Sequence, residues 1–371
     1  MMKILKIILK LFIFASILTA IVIGSIAGYM RLYGNAHIKK ALSELAGAQV
    51  EFKSIAINLD KQAATFKGFS IASQVGFDKN IFDADIFTFI LNKEKLESQR
   101  QLAFDRIYIK GAKLNIIRDS RGVLNLALPR MKTARLNEPL FSLESIAHAA
   151  EAQSTNAFYD LLKSVKNIRI EDSTVTFEDS FRMAKPYKIW CDKLFAEISS
   201  NDTAAGYLAT TLTTSLRLPQ RQGGDGWFNM KASMAVYPAN TNMELVAETG
   251  NVDPRIFLPY FQRNTPFSFT RGRFSSRTDL RLHGGALDSL TTMYFNNLGL
   301  LINQYAPNAQ FLQVSINRLA PYLSSGGNIV FDFVMKGDIR NPQFGVGPRV
   351  KTAIGMVVME EVGKAIQQMS R

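Results

Sequence analysis

The segment IRIEDSTVTF, residues 168–177, carries the pattern that decides the fold of this chain. Two apolar residues flank a polar one, four polar residues follow, and two more apolar residues flank another polar one. Side chains two positions apart lie on the same face of a strand, and small polar residues favour a turn between strands. The segment therefore predicts a β-hairpin whose apolar residues are Ile168, Ile170, Val175 and Phe177.

The same spacing occurs at three other places in the sequence. Two full copies precede this segment and one partial copy follows it: Ile107, Ile109, Leu114 and Ile116; Ile57, Leu59, Ala64 and Phe66; and Phe267, Phe269 and Phe274. The alternative is a chance match, because β-rich chains often contain such alternations. Repetition of the unit instead predicts antiparallel strands, each with one apolar face.

Alternation of apolar and polar residues continues outside the repeats. Two further apolar rows are Phe228, Met230, Ala232, Met234 and Val236, and Ile329, Phe331, Phe333 and Met335. Glycine-rich segments such as GGDG, residues 223–226, separate these runs and predict turns. We also expect a strand from Ser289 to Asn303, because the threonines and asparagines of this stretch are poor helix formers.

Helical spacing is less frequent than strand alternation in this sequence. Helices are predicted at residues 142–152, at residues 158–165 with Asn156 as N-cap, and at residues 307–323. The clearest helix is the last, where a long apolar stripe runs from Val350 to Met369. This C-terminal amphipathic helix either packs on the sheet or lies on a membrane or a partner protein.

The N-terminus contains the longest apolar segment of the sequence. The twenty residues from Leu11 to Met30 include no charge, and a helix of that length spans a bilayer. Lysines 3, 6 and 10 precede it, which favours a cytoplasmic N-terminus and a translocated remainder. A cleaved signal peptide is the alternative, because Ser25-Ile26-Ala27 contains small residues of the kind that a signal peptidase accepts. We expect an anchor at residues 1–34, a β-rich region at 35–345 and the terminal helix at 346–371.

Composition and motifs argue against catalysis. The three histidines, His37, His148 and His283, share no metal-ligand spacing, and the single cysteine, Cys191, lies in an apolar context. No phosphate loop, dinucleotide fingerprint or nucleophile elbow is present. We therefore expect no enzyme activity, no cofactor and no metal site. The net charge of +13 suits an anionic bilayer as well as nucleic acid, and we expect the membrane as the partner rather than nucleic acid.

The one-faced strands outnumber the helices that are available to cover them. Either two sheets close on each other as a β-sandwich, or one sheet curls and keeps an apolar trough. Residue patterns alone slightly favour the sandwich, since most one-faced sheets are covered by another sheet. A trough is unfavourable in water, at about 25 cal/mol per Å², unless it holds acyl chains.

Five segments carry motifs shared with a known family: IYIKGAKLNI at 107–116, RDSRGVLNL at 118–126, IRIEDSTVTF at 168–177, VDPRIFLPY at 252–260 and GDIRNPQF at 337–344. They resemble segments of the AsmA-like family of bacterial inner-membrane proteins, and the last is similar to the C-terminal signature of the family's uncharacterised-domain branch. The resemblance implies a single-pass inner-membrane anchor and an elongated, twisted, periplasmic β-sheet with an apolar groove. It also implies a relation to bridge-like lipid-transfer proteins.

The resemblance implies handling of phospholipid or another acyl lipid, or support of outer-membrane and envelope assembly together with other assembly proteins. A non-catalytic envelope scaffold with a closed β-sandwich core is the alternative. Arg271 and Arg273 flank Gly272 in a predicted turn that faces solvent or contacts a phosphate headgroup. The candidate lipid-groove residues are Ile107, Ile109, Leu114, Ile116, Ile168, Ile170, Val175, Phe177, Phe228, Met230, Met234, Ile329, Phe331, Phe333 and Met335.

Overall fold

A computed structural model describes most of the residues after position 33. The described residues are 34–46, 48–95, 103–125, 154–181, 183, 185–220, 223–259, 267–302, 310–311, 314–315, 324–325 and 328–369. The predicted anchor at Leu11–Met30 and the predicted helix at 142–152 lie outside them. Within the described ranges, no helix combines the length and the apolar character that crossing a bilayer requires.

Strands dominate the described structure, as the alternation predicts. The helices are α1 (Gly34–Ala46), α2 (Ser154–Ser164), α3 (Pro348–Met369) and a 3₁₀ helix (Pro254–Phe257). The strands are β1 (Val50–Glu51), β2 (Ser54–Asn58), β3 (Ala63–Ile71), β4 (Phe82–Leu91), β5 (Phe104–Lys110), β6 (Lys113–Arg118), β7 (Val165–Asp179), β8 (Tyr187–Asp202), β9 (Leu208–Leu218), β10 (Gly226–Val236), β11 (Thr241–Val252), β12 (Phe267–His283), β13 (Ala286–Ile302), β14 (Gln310–Phe311), β15 (Val314–Ser315), β16 (Ser324–Ser325), β17 (Asn328–Asp338) and β18 (Gln343–Val346).

Within the described residues, sixteen strands join in one mixed sheet. Its hydrogen-bonded order is β1-β3-β4-β5-β7-β8-β9-β10-β11-β12-β13-β17-β16, with β2, β6 and β18 paired beside this path. The prediction of a purely antiparallel sheet is wrong, because β5 and β6 both pair with β7 in parallel. Parallel neighbours need a crossover connection, and the segment between Arg118 and Val165, which includes α2, returns the backbone to the same direction.

Only the first of the four repeat copies is a hairpin. Strands β2 and β3 pair antiparallel with Ile57 opposite Ala64. In the second copy, β5 and β6 follow one another beside β7 instead of pairing with each other. The third copy is the single strand β7, and the partial copy lies within β12. The predicted hairpins are wrong at these three places.

Register shifts within β7 and β12, and a short break between β5 and β6, replace the predicted turns. Positive φ angles of 65° at Gly111, 48° at Asp172 and 125° at Gly272 mark the interruptions in the second, third and partial copies. Pairing shifts register between Ile170 and Ser173 in β7 and again on either side of Arg271 in β12. An extra residue bends a strand locally without reversing it. The polar residues therefore interrupt long strands rather than connect short ones.

Two other expectations differ from the structure and one is confirmed. Helix α2 begins at Ser154, so Asn156 lies inside it rather than at its N-cap. Where residues 307–323 are described, the predicted helix is wrong, because β14 and β15 form a two-stranded sheet there. The strand predicted at Ser289–Asn303 is confirmed as β13, which pairs with β12 over fifteen positions and with β17 over eleven.

The protein divides into two compact units. The first unit contains Met1–Arg217 and Lys231–Met243, and the second contains Leu218–Met230 and Glu244–Arg371. The core of the first unit is a cluster of aromatic rings from β3, β4 and β5, in which Phe66 is fully buried. Helix α1 covers it with Ile38 and Leu42, and α2 adds Leu161. One face of this part of the sheet is thus sealed by helices.

The core of the second unit is smaller. Val350, Ala353 and Val357 of α3 pack against Ile329 and Phe331 of β17, together with Val346 and Ile354. The predicted terminal helix is therefore present, and its first turns lie against the sheet. Within the described residues, these contacts form the main buried cluster of this unit.

Candidate functional site

The candidate residues of the first unit share one face of the sheet but differ in burial. Register aligns Ile107 with Ile168 and Ile109 with Ile170, and beyond the bulge it aligns Leu114 with Val175 and Ile116 with Phe177. Three of these side chains belong to the packed core: Ile107, Ile109 and Ile168. The others are half-buried: Leu114, Ile116, Ile170, Val175 and Phe177. The face therefore passes from a sealed core to a partly open surface.

The candidate residues of β10 also alternate between burial classes. Ala232 and Val236 are buried, while Phe228, Met230 and Met234 are half-buried. In the first unit, Met234 packs against a small cluster of Leu162, Leu208 and Val236. Helix α2 thus covers one end of this row through Leu162.

The second unit contains a row of aromatic rings on one face of the sheet. Ring centroids are 6.2 Å apart for Phe257 and Phe274, 5.9 Å for Phe274 and Phe295, and 5.8 Å for Phe295 and Phe331. The Phe331 and Phe333 rings are stacked at 6.4 Å. All five rings are half-buried. We call this set the aromatic row.

Hydroxyl groups continue the same face beyond the aromatic row. Thr249 and Ser276 are joined by a 2.8 Å hydrogen bond, and Thr278 and Thr291 by one of 2.9 Å. These paired hydroxyls satisfy one another across neighbouring strands, which reduces the cost of shielding them from water. Half-buried Met335 continues the apolar row of β17 beyond Phe333.

Helix α3 is held at the edge of the aromatic row by a buried carboxylate. Asp332 of β17 accepts hydrogen bonds from the backbone N–H groups of Arg349 (2.9 Å) and Val350 (3.0 Å). Its backbone carbonyl accepts a third bond, from the N–H of Gly347 at 2.8 Å. A carboxylate at a helix N-terminus satisfies amides that have no intrahelical partner and complements the helix dipole. This contact sets where the helix covers the sheet.

The opposite face of the second unit is charged and contains an open cleft. Arg273 and Phe274 are consecutive in β12 and pair in register with Asn296 and Phe295, so Arg273 lies behind the aromatic row. The cleft has a volume of about 380 Å³ and is lined by Gly223, Arg255, Gly272, Arg273, Asn296 and Asn297. We call it the arginine cleft. The predicted turn at Gly272 is instead a bulge within β12.

Asp253 organises the two arginines of the arginine cleft. Its carboxylate accepts hydrogen bonds from Nε and Nη2 of Arg255, at 3.0 and 2.7 Å, and lies 3.8 Å from Nη1 of Arg273. Gln220 accepts a hydrogen bond from Arg273 and another, at 2.7 Å, from the backbone N–H of Asp253. Burial raises the pKa of Asp253, but the hydrogen bonds and charge of Arg255 outweigh burial, so the net pKa is lowered. The carboxylate is therefore ionised at neutral pH.

Sequence reasoning did not identify the arginine cleft. Gln220 and Asp253 are separated from Arg273 along the sequence by 53 and 20 residues, and nothing in local spacing connects them. The available signal was the pair of arginines flanking Gly272, because a glycine inside a strand often marks a bulge. Gly272 was instead predicted to lie in a turn.

Two of the groups considered for catalysis, Cys191 and Glu171, lie within the described residues and have shifted pKa values. Burial raises the pKa of Cys191, which disfavours its thiolate, and the residue pairs with Val175 on the apolar face. Glu171 accepts hydrogen bonds from Tyr108 at 2.7 Å and from Arg169 at 2.7 Å, and both lower its pKa. Over the described ranges, no three side chains of His, Cys, Asp or Glu cluster as metal ligands.

Comparisons of this protein with protein-family models, with curated proteins and with solved structures found no match.

Proposed function

We propose that this protein binds the acyl chains of phospholipid or another acyl lipid on the apolar face of its sheet. The observation that carries the proposal is the aromatic row of the second unit, whose five rings touch in sequence and remain half-buried. A water-facing apolar surface costs about 25 cal/mol per Å². Contiguous exposed apolar surface is typical of sites that bind lipids or partners.

The apolar residues of β17 extend over a length similar to that of an acyl chain. Ile329, Phe331, Phe333 and Met335 lie on one face of β17. The six residue steps from the first to the last span about 20 Å at ~3.3 Å per residue. One leaflet of a bilayer offers its acyl chains about 15 Å of hydrocarbon depth. Helix α3 packs on the Ile329 and Phe331 end of this row. An acyl chain therefore contacts the Phe333 and Met335 end, together with the neighbouring rings of the aromatic row.

The setting of this activity is part of the same proposal. The apolar segment Leu11–Met30 anchors the protein once in a bacterial inner membrane, with the N-terminus in the cytoplasm and the bulk in the periplasm. It is then an AsmA-like protein that handles lipid, without catalysis, during envelope assembly. The mainly β structure with an apolar face supports this proposal.

An envelope scaffold without lipid is the second candidate, and one observation favours it. In the first unit, the candidate residues Ile107, Ile109 and Ile168 are buried in a core closed by α1 and α2. That part of the face is a structural core in either candidate. The two candidates differ at the aromatic row, where lipid contact is expected only by the first.

Site-specific photocrosslinking tests the proposal. We would place a benzophenone side chain at Phe333 in the full-length protein, and at Val334 as the matched control. These neighbours are both half-buried in β17 but face opposite sides of the sheet. The protein is illuminated either in cells, before purification in a maltoside detergent, or after purification, with added phospholipid. Both procedures are expected to give a lipid adduct at Phe333 and not at Val334.

Mass spectrometry of the intact protein identifies the adduct. Equal lipid labelling at both positions would reject lipid binding on this face. So would the absence of an adduct in the folded Phe333 variant, together with no lipid extracted from the folded wild-type protein; this second result would favour the scaffold.

A further inference from the structure

We infer that the arginine cleft binds a phosphate-class oxyanion, separately from the acyl chains proposed for the aromatic row. The cleft is on the charged face, because Arg273 and Asn296 are register partners next to the Phe274–Phe295 pair. An acyl chain on the aromatic row does not reach it through the sheet. The inference therefore stands whether or not the apolar face binds lipid.

Two arginines and one aspartate are the charged side chains described in and beside the cleft. The Asp253 carboxylate makes a two-point hydrogen-bonded pair with Arg255, whose Nη2 lies 2.7 Å away. Arg273 contributes a second guanidinium, at 3.8 Å from the same carboxylate. The described side chains thus supply two guanidinium groups and one carboxylate. Partial burial of the Arg273 side chain, which is 23 % exposed, reduces the screening of its charge.

The cleft is shaped by backbone as well as by charge. A Cβ atom added at Gly223 would collide with the guanidinium of Arg273, so only glycine lets that side chain lie across the loop. Gly223 and Gly272 have φ angles of 74° and 125°, which side-chain-bearing residues rarely adopt. Gln220 orients Arg273 by accepting its hydrogen bond. The guanidinium is thus held in place before any ligand arrives, which lowers the entropic cost of binding.

Donor chemistry selects the class of ligand. Guanidinium groups present planar forks of N–H donors that match the oxygens of phosphate. Asn296 and Asn297 are exposed at the rim and carry amide N–H₂ donors. Volumes of about 300–1,000 Å³ are typical of small-molecule sites. At about 380 Å³, the cleft admits a phosphate monoester or diester as well as the bare ion.

Equilibrium dialysis of the full-length protein against radiolabelled inorganic phosphate tests the inference. A maltoside detergent is used because it carries no phosphate. Wild-type protein is expected to bind one phosphate per molecule saturably. Arg273→Gln and Asn297→Asp are each expected to weaken binding at least about tenfold, since each removes or opposes a charge-assisted hydrogen bond. Asn297 has a φ of 49°, a conformation that aspartate tolerates.

The matched control is Asn229→Asp. Asn229 is an exposed residue of β10 that does not line the cleft, so this variant makes the same change in net charge elsewhere. It is expected to bind phosphate as the wild type does. No saturable binding by folded wild-type protein would overturn the inference. Equal weakening by Asn229→Asp and Asn297→Asp would also overturn it, because the effect would then be one of overall charge.

Competition distinguishes the two sources of the phosphate group. Displacement of labelled phosphate by glycerol 3-phosphate, equal to or stronger than that by dihexanoyl phosphatidylglycerol, supports a soluble phosphate ligand. Stronger displacement by the short-chain lipid supports a headgroup in the cleft. Both results support the site provided that binding of labelled phosphate itself is lost in Arg273→Gln. Displacement by neither compound, with Arg273-dependent binding intact, supports a site for the bare ion, whereas binding that persists in Arg273→Gln would overturn the inference. Photocrosslinking at Phe333 reports on the apolar face alone, so either proposal can fail without the other.

Discussion

Replacing Asp332 by alanine tests how helix α3 is attached to the sheet. The substitution removes both carboxylate acceptors from the N–H groups of Arg349 and Val350, which they contact at 2.9 and 3.0 Å. Loss of an N-cap costs about 1 kcal/mol, and an unsatisfied buried N–H costs about 1–3 kcal/mol. Because these terms overlap, we expect α3 to lose about 2–3 kcal/mol of local stability.

Hydrogen–deuterium exchange of the α3 backbone measures this local loss directly. A loss of about 2 kcal/mol corresponds to roughly 30-fold faster exchange, since 1.4 kcal/mol is tenfold. Asp338→Ala is the control, because Asp338 lies at the other end of β17 and its carboxylate bonds to Arg340. Unchanged exchange in Pro348–Met369 after Asp332→Ala, or equal acceleration by Asp338→Ala, would show that the Asp332 carboxylate does not hold α3 in place.

Three further outcomes follow from backbone strain and from the pKa directions. Gly111→Ala places a Cβ at a φ of 65°, a conformation unfavourable for side-chain-bearing residues, so chemical denaturation should show a loss of about 1–2 kcal/mol. Gly206→Ala, at a φ of 78°, should cost about as much, because the exposed Asp85 carboxylate beside Gly111 can rotate away from the new Cβ. Hydrogen bonds from Arg340 lower the pKa of Asp338 to about 2. The contribution of the Asp338 carboxylate to stability is therefore complete above pH ~4 and is lost as pH falls through ~2. An NMR titration of Asp338 should show this midpoint, and Arg340→Gln should move it towards ~3.9. Burial raises the pKa of Cys191, so a thiol reagent at pH 7 should label it more slowly in folded protein than after unfolding.

Alternation in the sequence predicted several of the strands and their apolar faces. The row from Ile329 to Met335 lies in β17, and the apolar stripe that begins at Val350 lies in α3. These predictions succeeded because a period of two, or of 3.6, is a local property of the sequence. Burial within such a row is not local. Ile168 is buried and Phe177 is half-buried because α1 and α2 cover only part of the face.

Pairing direction was not available from the sequence. Strand β7 runs parallel to β5 and β6 because of the long connection that contains α2. Nothing in the residues of β7 distinguishes a parallel from an antiparallel neighbour, since both require the same alternation on a one-sided face. The arginine cleft was missed for a related reason: the contact of Arg273 with Asp253 depends on how distant segments are brought together.

The repeat shows most clearly why a hairpin and a bulge give the same sequence pattern. Five positions separate Phe269 from Phe274, and an odd separation places two side chains on opposite faces of a regular strand. Yet the centroid of the Phe295 ring lies 6.3 Å from that of Phe269 and 5.9 Å from that of Phe274, so both rings face the same side. The bulges at Arg271 and Gly272 shift the side-chain alternation by one residue, which places Phe274 on the same face as Phe269.

A four-residue turn would restore the apolar face equally well, as it does between β2 and β3, so spacing alone does not distinguish the two structures. What distinguishes them is length. A bulged strand keeps its apolar residues in one continuous row along the strand. A hairpin divides the same residues between two neighbouring strands, so the apolar surface becomes half as long and twice as wide. From half-buried Ile170 to half-buried Phe177, seven residue steps extend about 23 Å at ~3.3 Å per step, which exceeds the depth of one bilayer leaflet. Long bulged strands therefore give this sheet an apolar face on the scale of an acyl chain, which a series of short hairpins would not provide.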